Sequence, residues 1–382
     1  MNVQQAMARC WAEIDLDKLL DNYRNAQSEI VNGARIIPVL KANAYGMGAL
    51  PVARALASAG ANLFAVAAFR EAMELKAGLK ADVLVMGMTG DAELWEAVDN
   101  GVIVTLFSVH QARLLSEAAQ KLQKPARVHL KIDTGLHRLG FAPDEAVGQI
   151  QEIARMRGIQ IEGMYSHLAL RNEEEDARQF ERLTSVQRAL EEKGISVGMM
   201  HLDDSIGMVR HPEYQLDAVR IAAYLFGVTP YRYAHPEKVN AICTLKARIA
   251  DIHWVEAGEC VGYDEDHPLK RKSRVATLCA GYVDGFPRVA EVGSVEILGR
   301  RAPVVGLVCM DQMMVDVTGI PEAAPGGEAI LLGSSIKVDE LASWANLNRN
   351  EAYARINRRV PRIYKQAGKA DFVVDYMTET GR

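Results

Sequence analysis

Apolar residues in this chain arrive in short runs with a regular beat. RIIPVLK (35–41), LFAVAA (63–68), VLVMGM (83–88), VIVTLF (102–107), ARVHLKI (126–132), IEGMYSHL (161–168), VGMMHL (197–202) and AVRIAAY (218–224) each read as a strand. In the first of them Ile36, Ile37, Val39 and Leu40 with Pro38 run uninterrupted, as a strand buried on both faces requires. The segments between have helical period, among them LPVARALASAG, AELWEAVDNG, QARLLSEAAQKLQ and DARQFERLTSVQRALEEKG. Several stop at a glycine suited to a left-handed C-terminal cap. An amphipathic helix at about 17–30 precedes the series, with Leu19, Tyr23, Ala26 and Ile30 on one face. Eight strand–helix units with starts about 26 residues apart predict an α/β fold, a (β/α)8 TIM-type barrel rather than an open doubly wound sheet.

After about residue 235 the rhythm changes. AICTLKARIADI, RVATLCAGY and EAILLG read as strands, SVEILGRRAPVVGLVCMDQMMVDVT as a hairpin turning near Gly299, and DFVVDYM as a closing strand. Two helical stretches, VDELASWAN and EAYARINRRV, interrupt them, the second ending before Pro361. The expected organisation is a barrel domain over 1–235 and a mainly β domain over 236–382, with HPEK at 235–238 as the linker.

Composition narrows the class. The 382 residues are 49% apolar and 24% charged, ordinary for a soluble globular chain. A formal charge of -5 offers no basic surface by count, so nucleic acid is not an expected partner. No run of about 18 apolar residues and no signal-peptide pattern occurs, so no membrane association is expected and the predicted location is cytoplasmic. Cys10, Cys243, Cys260, Cys279 and Cys309 show no CxxC or zinc-type spacing, so no metal site is expected.

A barrel should carry its chemistry at the carboxyl ends of its strands. Lys41 ends the first strand, and Asn43, Tyr45, Gly46 and Gly48 follow it. A desolvated lysine there has a lowered pKa and can form a Schiff base with an aldehyde. Lys131 and Arg138 follow the fifth strand, His167 ends the sixth, Asp204 and Ser205 follow the seventh, and Arg220 lies on the eighth. Singly each has a structural reading: a snorkelling lysine, a satisfied core histidine, a loop ion pair. Together they describe one pocket.

VLKANAYGMG, HLKIDTGLHRLGF, YSHLA, the DDS of HLDDSIG, DAVRIAAYLFG, VGYDED, GYVDGFPR and VGLVCMDQMMVDV resemble, in order, the motifs of the alanine racemase family of pyridoxal 5'-phosphate (PLP) enzymes. The likeness spans nearly the whole chain. It implies a barrel followed by a β domain, and an amino-acid racemase working as a homodimer with shared active sites. Lys41 would be the Schiff-base lysine. Tyr45, Ser205, the backbone N–H groups of Ala222 and Ala223, and the Tyr353 hydroxyl would hold the phosphate. Arg220 would face the pyridine nitrogen, and an arginine cannot accept its proton, so the ring becomes a weaker electron sink than one paired with an acid. Brief removal and return of one proton suits such a ring. Because racemisation needs a base on each face, Lys41 would serve one and Tyr263 of the partner subunit the other, with His167 and Arg220 as a relay. Arg138 and the backbone of Met310 of the partner subunit would seat the substrate carboxylate. Asp311 would brace Met310, Tyr282 and Tyr353 would narrow the mouth, and Lys131 matches a lysine that family members carbamylate.

The chain also departs from the family pattern. Asp204 stands for an asparagine, Ala222 for a glycine, Phe226 for a tyrosine, Asn172 for an aspartate, and Leu136 with His137 for Met-Gly. The acidic run Asp264, Glu265 and Asp266 reads as a solvated entrance loop. These changes bear on which amino acid is preferred more than on the reaction. Alanine is the expected substrate, its D isomer serving cell-wall precursors, and serine or a longer amino acid the alternative. A non-catalytic PLP-binding barrel is a reading from another class, against which the whole second domain speaks. A PLP lysine decarboxylase fits less well, since an acid should then stand where Arg220 does.

Overall fold

The computed structural model describes residues 1–230, 233–263 and 265–378; Asp264 of the acidic run lies outside them. The first strand, β1 (Cys10–Asp15), is followed by eight that match the eight apolar runs: β2 (Arg35–Pro38), β3 (Leu63–Val66), β4 (Asp82–Val85), β5 (Ile103–Leu106), β6 (Ala126–Lys131), β7 (Ile159–Tyr165), β8 (Met199–His201) and β9 (Ala218–Ile221). They pair in parallel in the order β2-β9-β8-β7-β6-β5-β4-β3. A single parallel bridge, Val39 to Ala65, brings the two outer strands together and closes the cylinder. Apolar side chains such as Ile37, Phe64, Leu84, Leu106 and Leu130 are wholly buried, so the runs lack alternation because both faces are covered.

The helices form where the pattern and their caps agree. Asp15 caps Leu16–Ser28, whose Leu19, Tyr23 and Ala26 are buried as the helical period predicted. Ser108 caps Val109–Leu122 in the same way. Asn172, one of the departures, accepts the Glu175 N–H at 2.9 Å and caps Glu173–Glu191. Four acids fill the first turn of that helix, where its dipole favours negative charge.

The remaining strands are β10 (Cys243–Val255), β11 (Ser273–Leu278), β12 (Ser294–Ile297), β13 (Arg300–Pro303), β14 (Met313–Asp316), β15 (Glu328–Leu332), β16 (Arg362–Gln366) and β17 (Lys369–Val374). They form a second sheet in the order β13-β12-β15-β10-β1-β16-β17, with β11 paired to β10 and β14 to β11. The β12–β13 hairpin turns at Leu298 and Gly299, both at positive φ as a two-residue type I′ turn needs. β1 pairs antiparallel with β10 and parallel with β16, so the chain's first strand crosses the boundary expected at 235. Among the described residues no helix is long and apolar enough to cross a membrane.

Candidate active site

The turn after β2 is unusual. Ala42, Asn43, Ala44 and Tyr45 all have φ between +51° and +55°, one left-handed turn built without glycine. Such a conformation costs roughly 1–2 kcal/mol per residue, so neighbouring groups must impose it. From the barrel, Glu71 accepts N–H bonds from Ala42, Ala67 and Ala68 at 2.6–3.0 Å. From the second sheet, the buried Arg362 donates twice to the Gly46 carbonyl, at 3.1 and 3.0 Å. Tyr364 donates to the Met47 carbonyl at 2.8 Å, and Tyr376 to Asn43 Oδ1 at 3.1 Å. The second domain thus clamps the turn that presents Lys41.

A cavity of about 460 Å³ opens at this end of the barrel. Lys41, Lys131, Arg138, His167 and Arg220 all line it, and so do Tyr45, Ser205, Ala222 and Ala223. With Asp204, which lines it too, ten of the residues singled out from sequence meet at one place. Burial lowers the Lys41 pKa, with Arg138 acting in the same direction, so its amine gives up a proton more easily than a free lysine. The Asp133 carboxylate organises the loop that carries Arg138, accepting N–H bonds from Gly135, His137 and Arg138 at 2.9–3.1 Å. Leu136 and His137 belong to that loop, whose turn has His137 at φ +57°.

Arg220 lies beside Ile37 in the β2–β9 register and is almost fully buried. Its Nη1 donates to His201 Nδ1 at 2.7 Å, and its Nη2 to His167 Nδ1 at 3.1 Å and to the Ser166 and Leu202 carbonyls. A guanidinium has no acceptor, so both imidazoles must offer a bare Nδ1 and carry their proton on Nε2. His201 Nε2 then donates to His129 Nδ1 at 2.9 Å. Burial, followed by the charge of Arg220, holds His167 and His201 well below the usual histidine range, so both are neutral at pH 7. Arg220 thereby keeps its charge among neutral partners and fixes their tautomers.

Lys131 lines the same cavity as Arg138. Its Nζ donates to the Ile132 carbonyl at 2.8 Å and lies 5.3 Å from the Tyr165 ring centre. Burial, then Arg220, pushes its pKa down to about 7. Across the cavity, Ser205 Oγ accepts N–H bonds from Ala222 at 3.0 Å and Tyr224 at 3.4 Å. Its own proton is left to donate, which suits an anion seated against backbone and hydroxyl donors. The methyl of Ala222 does not disturb this cradle. Phe226 stacks obliquely on Tyr45, with ring centres 5.3 Å apart.

Tyr353 is not among the lining residues. It is fully buried, and its backbone carbonyl stands 2.6 Å from where a Cβ on Gly46 would be. Asn348, Arg349 and Asn350, three to five residues earlier, reach the cavity instead. Sequence reading missed them because nothing in NRNEAY marks which residue of a short helix faces inward. It also missed Asp203, wholly buried beside Gly207, whose two carboxyl oxygens have no hydrogen-bond partner among the described residues. Burial, then Asp204, pushes that carboxyl up to about 8. Asp204 itself caps a short turn, accepting the Ile206 and Gly207 N–H groups at 2.8 and 3.0 Å.

Tyr263, Tyr282 and Met310 lie outside this chain's cavity as well. Tyr263 is 80% and Met310 50% exposed, high for residues with so much apolar surface. Tyr282 N–H donates to the Cys309 carbonyl and Val283 N–H to that of Met310, at 3.0 and 3.2 Å. A Cβ on Gly262, next to Tyr263, would lie 3.9 Å from Cys309 Sγ, so the three share one face of the second domain. Arg359 ties that face together, binding the buried Asp284 and, at 2.7 Å, Asp311.

Comparison with known proteins agrees with this arrangement. The family model for the alanine racemase N-terminal domain matches residues 14–230, and that for the alanine racemase C-terminal domain matches residues 242–364. The alanine racemase of Desulforamulus reducens is 37% identical over 363 residues, which cover 93% of this chain and 98% of that protein. The solved alanine racemase of Clostridium difficile 630 superposes with a TM-score of 0.92 at 31% identity, covering 97% of this chain and 99% of that one. The alanine racemase of Bartonella henselae, solved with covalently bound pyridoxal phosphate, gives a TM-score of 0.85 at 28% identity, over 94% of this chain and 100% of that one. By family model, sequence and fold alike, this chain belongs to the alanine racemase family.

Proposed function

We propose that the chain binds PLP at Lys41 and interconverts L- and D-alanine, working as a homodimer. The observation that carries this reading is the depressed amine of Lys41 opposite the Ser205 cradle, in one cavity with Arg138 and Arg220. An amine able to lose its proton, an anion seat of hydroxyl and N–H donors, and a buried arginine fit the aldehyde, phosphate and pyridine nitrogen respectively. When bound, PLP supplies the electron withdrawal that makes the α proton of an amino acid removable. Lys41 Nζ takes or returns that proton on one face. Tyr263 of the partner subunit takes the other, which its exposure on a face away from its own cavity supports. His167 and Arg220 hold a fixed hydrogen-bond direction beside the reaction. Arg138 seats the substrate carboxylate with the backbone of Met310 of the partner subunit, while Tyr282 narrows the entrance. Purified protein should be coloured, lose that colour on borohydride with label on Lys41, and racemise L-alanine faster than other amino acids. A colourless protein, or preference for serine, lysine or ornithine in a panel of L-amino acids, overturns the respective part.

Lys131 is proposed to carry a carbamate that orients Arg138. With its pKa near 7 the amine is largely neutral at pH 8, so its lone pair attacks the carbon of CO2 and the nitrogen then loses one proton to solvent. Labelled bicarbonate should give one slowly exchanging carbamate resonance that is absent in Lys131→Met. The unfolded chain holds the lysine proton to about pH 10.4, whereas the folded amine loses it near 7. The unfolded state therefore binds more protons across that window, and this lysine makes stability rise with pH from about 7 to 10. Lys131→Met should flatten the rise, and an unchanged slope in urea titrations counts against the depressed amine.

A further inference from the structure

The wholly buried carboxylate of Asp284 accepts five N–H bonds. Arg9 donates to both its oxygens at 2.8 and 3.0 Å, Arg359 to both at 2.8 and 2.9 Å, and the Gly281 N–H to one at 3.0 Å. Two forked arginines leave an excess positive charge at this centre, and Asp311 balances it. Arg359 Nη1 reaches Asp311 Oδ1 at 2.7 Å, and Arg9 Nη2 donates to the Asp311 backbone carbonyl at 2.9 Å. Each arginine therefore spans Asp284 and Asp311, and forked contacts of this kind fix direction as well as distance. Arg9 is itself anchored, since its carbonyl accepts the Arg248 N–H of β10 at 2.8 Å.

Asp284 ends the short turn Tyr282–Asp284, which lies directly on the Cys309–Asp311 backbone. A Cβ on Gly281 would stand 2.2 Å from the Cys309 carbonyl oxygen and 2.4 Å from that of Met310, so no side chain separates turn and loop. Both carbonyls accept N–H bonds from the turn. A trans peptide sets its N–H opposite its C=O, so the N–H groups of Met310 and Asp311 are aimed away from the turn. Neither has a hydrogen-bond partner among the described residues.

We propose that Arg9 is a positioning residue for the alanine reaction, fixing through Asp284 and the Asp311 carbonyl the loop that brings the Met310 N–H to the substrate carboxylate in the partner subunit's cavity. This rests on the shared-site reading above. Arg9 touches neither substrate nor cofactor and stands 302 positions from Asp311 along the chain. Arg359 holds the Asp311 side chain, whereas Arg9 holds its backbone and so the tilt of the loop.

The test is steady-state kinetics of Arg9→Ala with L-alanine. KM should rise about 3- to 10-fold, less than the roughly 10- to 100-fold for losing a hydrogen bond to a charged group outright, because the loop remains and only its aim relaxes. The kcat should stay within about twofold, as when binding is lost equally from ground and transition states. Arg9→Lys, which keeps the charge but cannot fork, should show the same split at smaller amplitude, and it carries the test if Arg9→Ala fails to refold. Refolding Arg9→Ala chains with a large excess of Lys41→Ala chains places nearly all of them in mixed dimers. The one complete site there joins Lys41 of the Arg9→Ala chain to the intact loop of its partner, so KM should return to the wild-type value. An unchanged KM in the variants, or a fall in kcat without a rise in KM, would make Arg9 a fold contact and overturn the proposal. A KM that stays raised in the mixed dimers, while a mixture of Lys41→Ala and Tyr263→Phe chains regains activity, overturns the Arg9 assignment alone. If that second mixture regains nothing, the shared-site reading falls with it.

Discussion

Lys41→Ala is expected to lower alanine racemisation by about four orders of magnitude or more, combining loss of the covalent anchor with loss of one base. The variant should still fold, because the left-handed turn is held by Glu71, Arg362, Tyr364 and Tyr376 rather than by the lysine. Thermal unfolding close to that of wild type would separate a chemical defect from a structural one. In D2O neither enantiomer should exchange its α proton. Activity within tenfold of wild type would mean that Lys41 is neither anchor nor base.

Tyr263→Phe is expected to lower racemisation about 10²- to 10⁴-fold, as removal of one general base does. Its effect should be one-sided: α-proton exchange from D-alanine, served by Lys41, persists, while exchange from L-alanine is lost. The exposed position of Tyr263 leads to a sharper experiment. When Lys41→Ala and Tyr263→Phe chains are unfolded, mixed equally and refolded, half of the dimers are mixed. If sites are shared, each mixed dimer has one site with both defects and one with neither, and roughly a quarter of wild-type activity returns. If Tyr263 serves its own chain, every site keeps one defect and nothing returns.

How far the chain could be read in advance depended on the range of the interactions. The barrel strands were visible because burial on both faces writes itself into consecutive residues, as in Ile36–Leu40 and Ile103–Leu106. Lys41, Arg138 and His167 were found because a parallel barrel sends all its strand ends to one rim. β1 and β16 were missed. CWAEID and RIYKQ are short and mixed in polarity; they pair with each other, and β1 also with β10, across more than 200 residues. Such pairing leaves little local trace. Asn350 and Tyr353 show the same limit at single-residue scale, since which of them meets the cavity depends on how one short helix lies on Gly46.

Taken alone, the order of residues determined the barrel, the second β domain and the set of side chains that gather at one rim, since each follows from local polarity and strand direction. Only the tertiary structure decided that the second sheet clamps the Lys41 turn, that Arg220 dictates the tautomers of His167 and His201, and that Asn350 rather than Tyr353 faces the cavity. The reason is physical: a hydrogen bond or a contact between residues hundreds of positions apart exists only after the chain has closed on itself, and its direction is set by angles that no local pattern encodes.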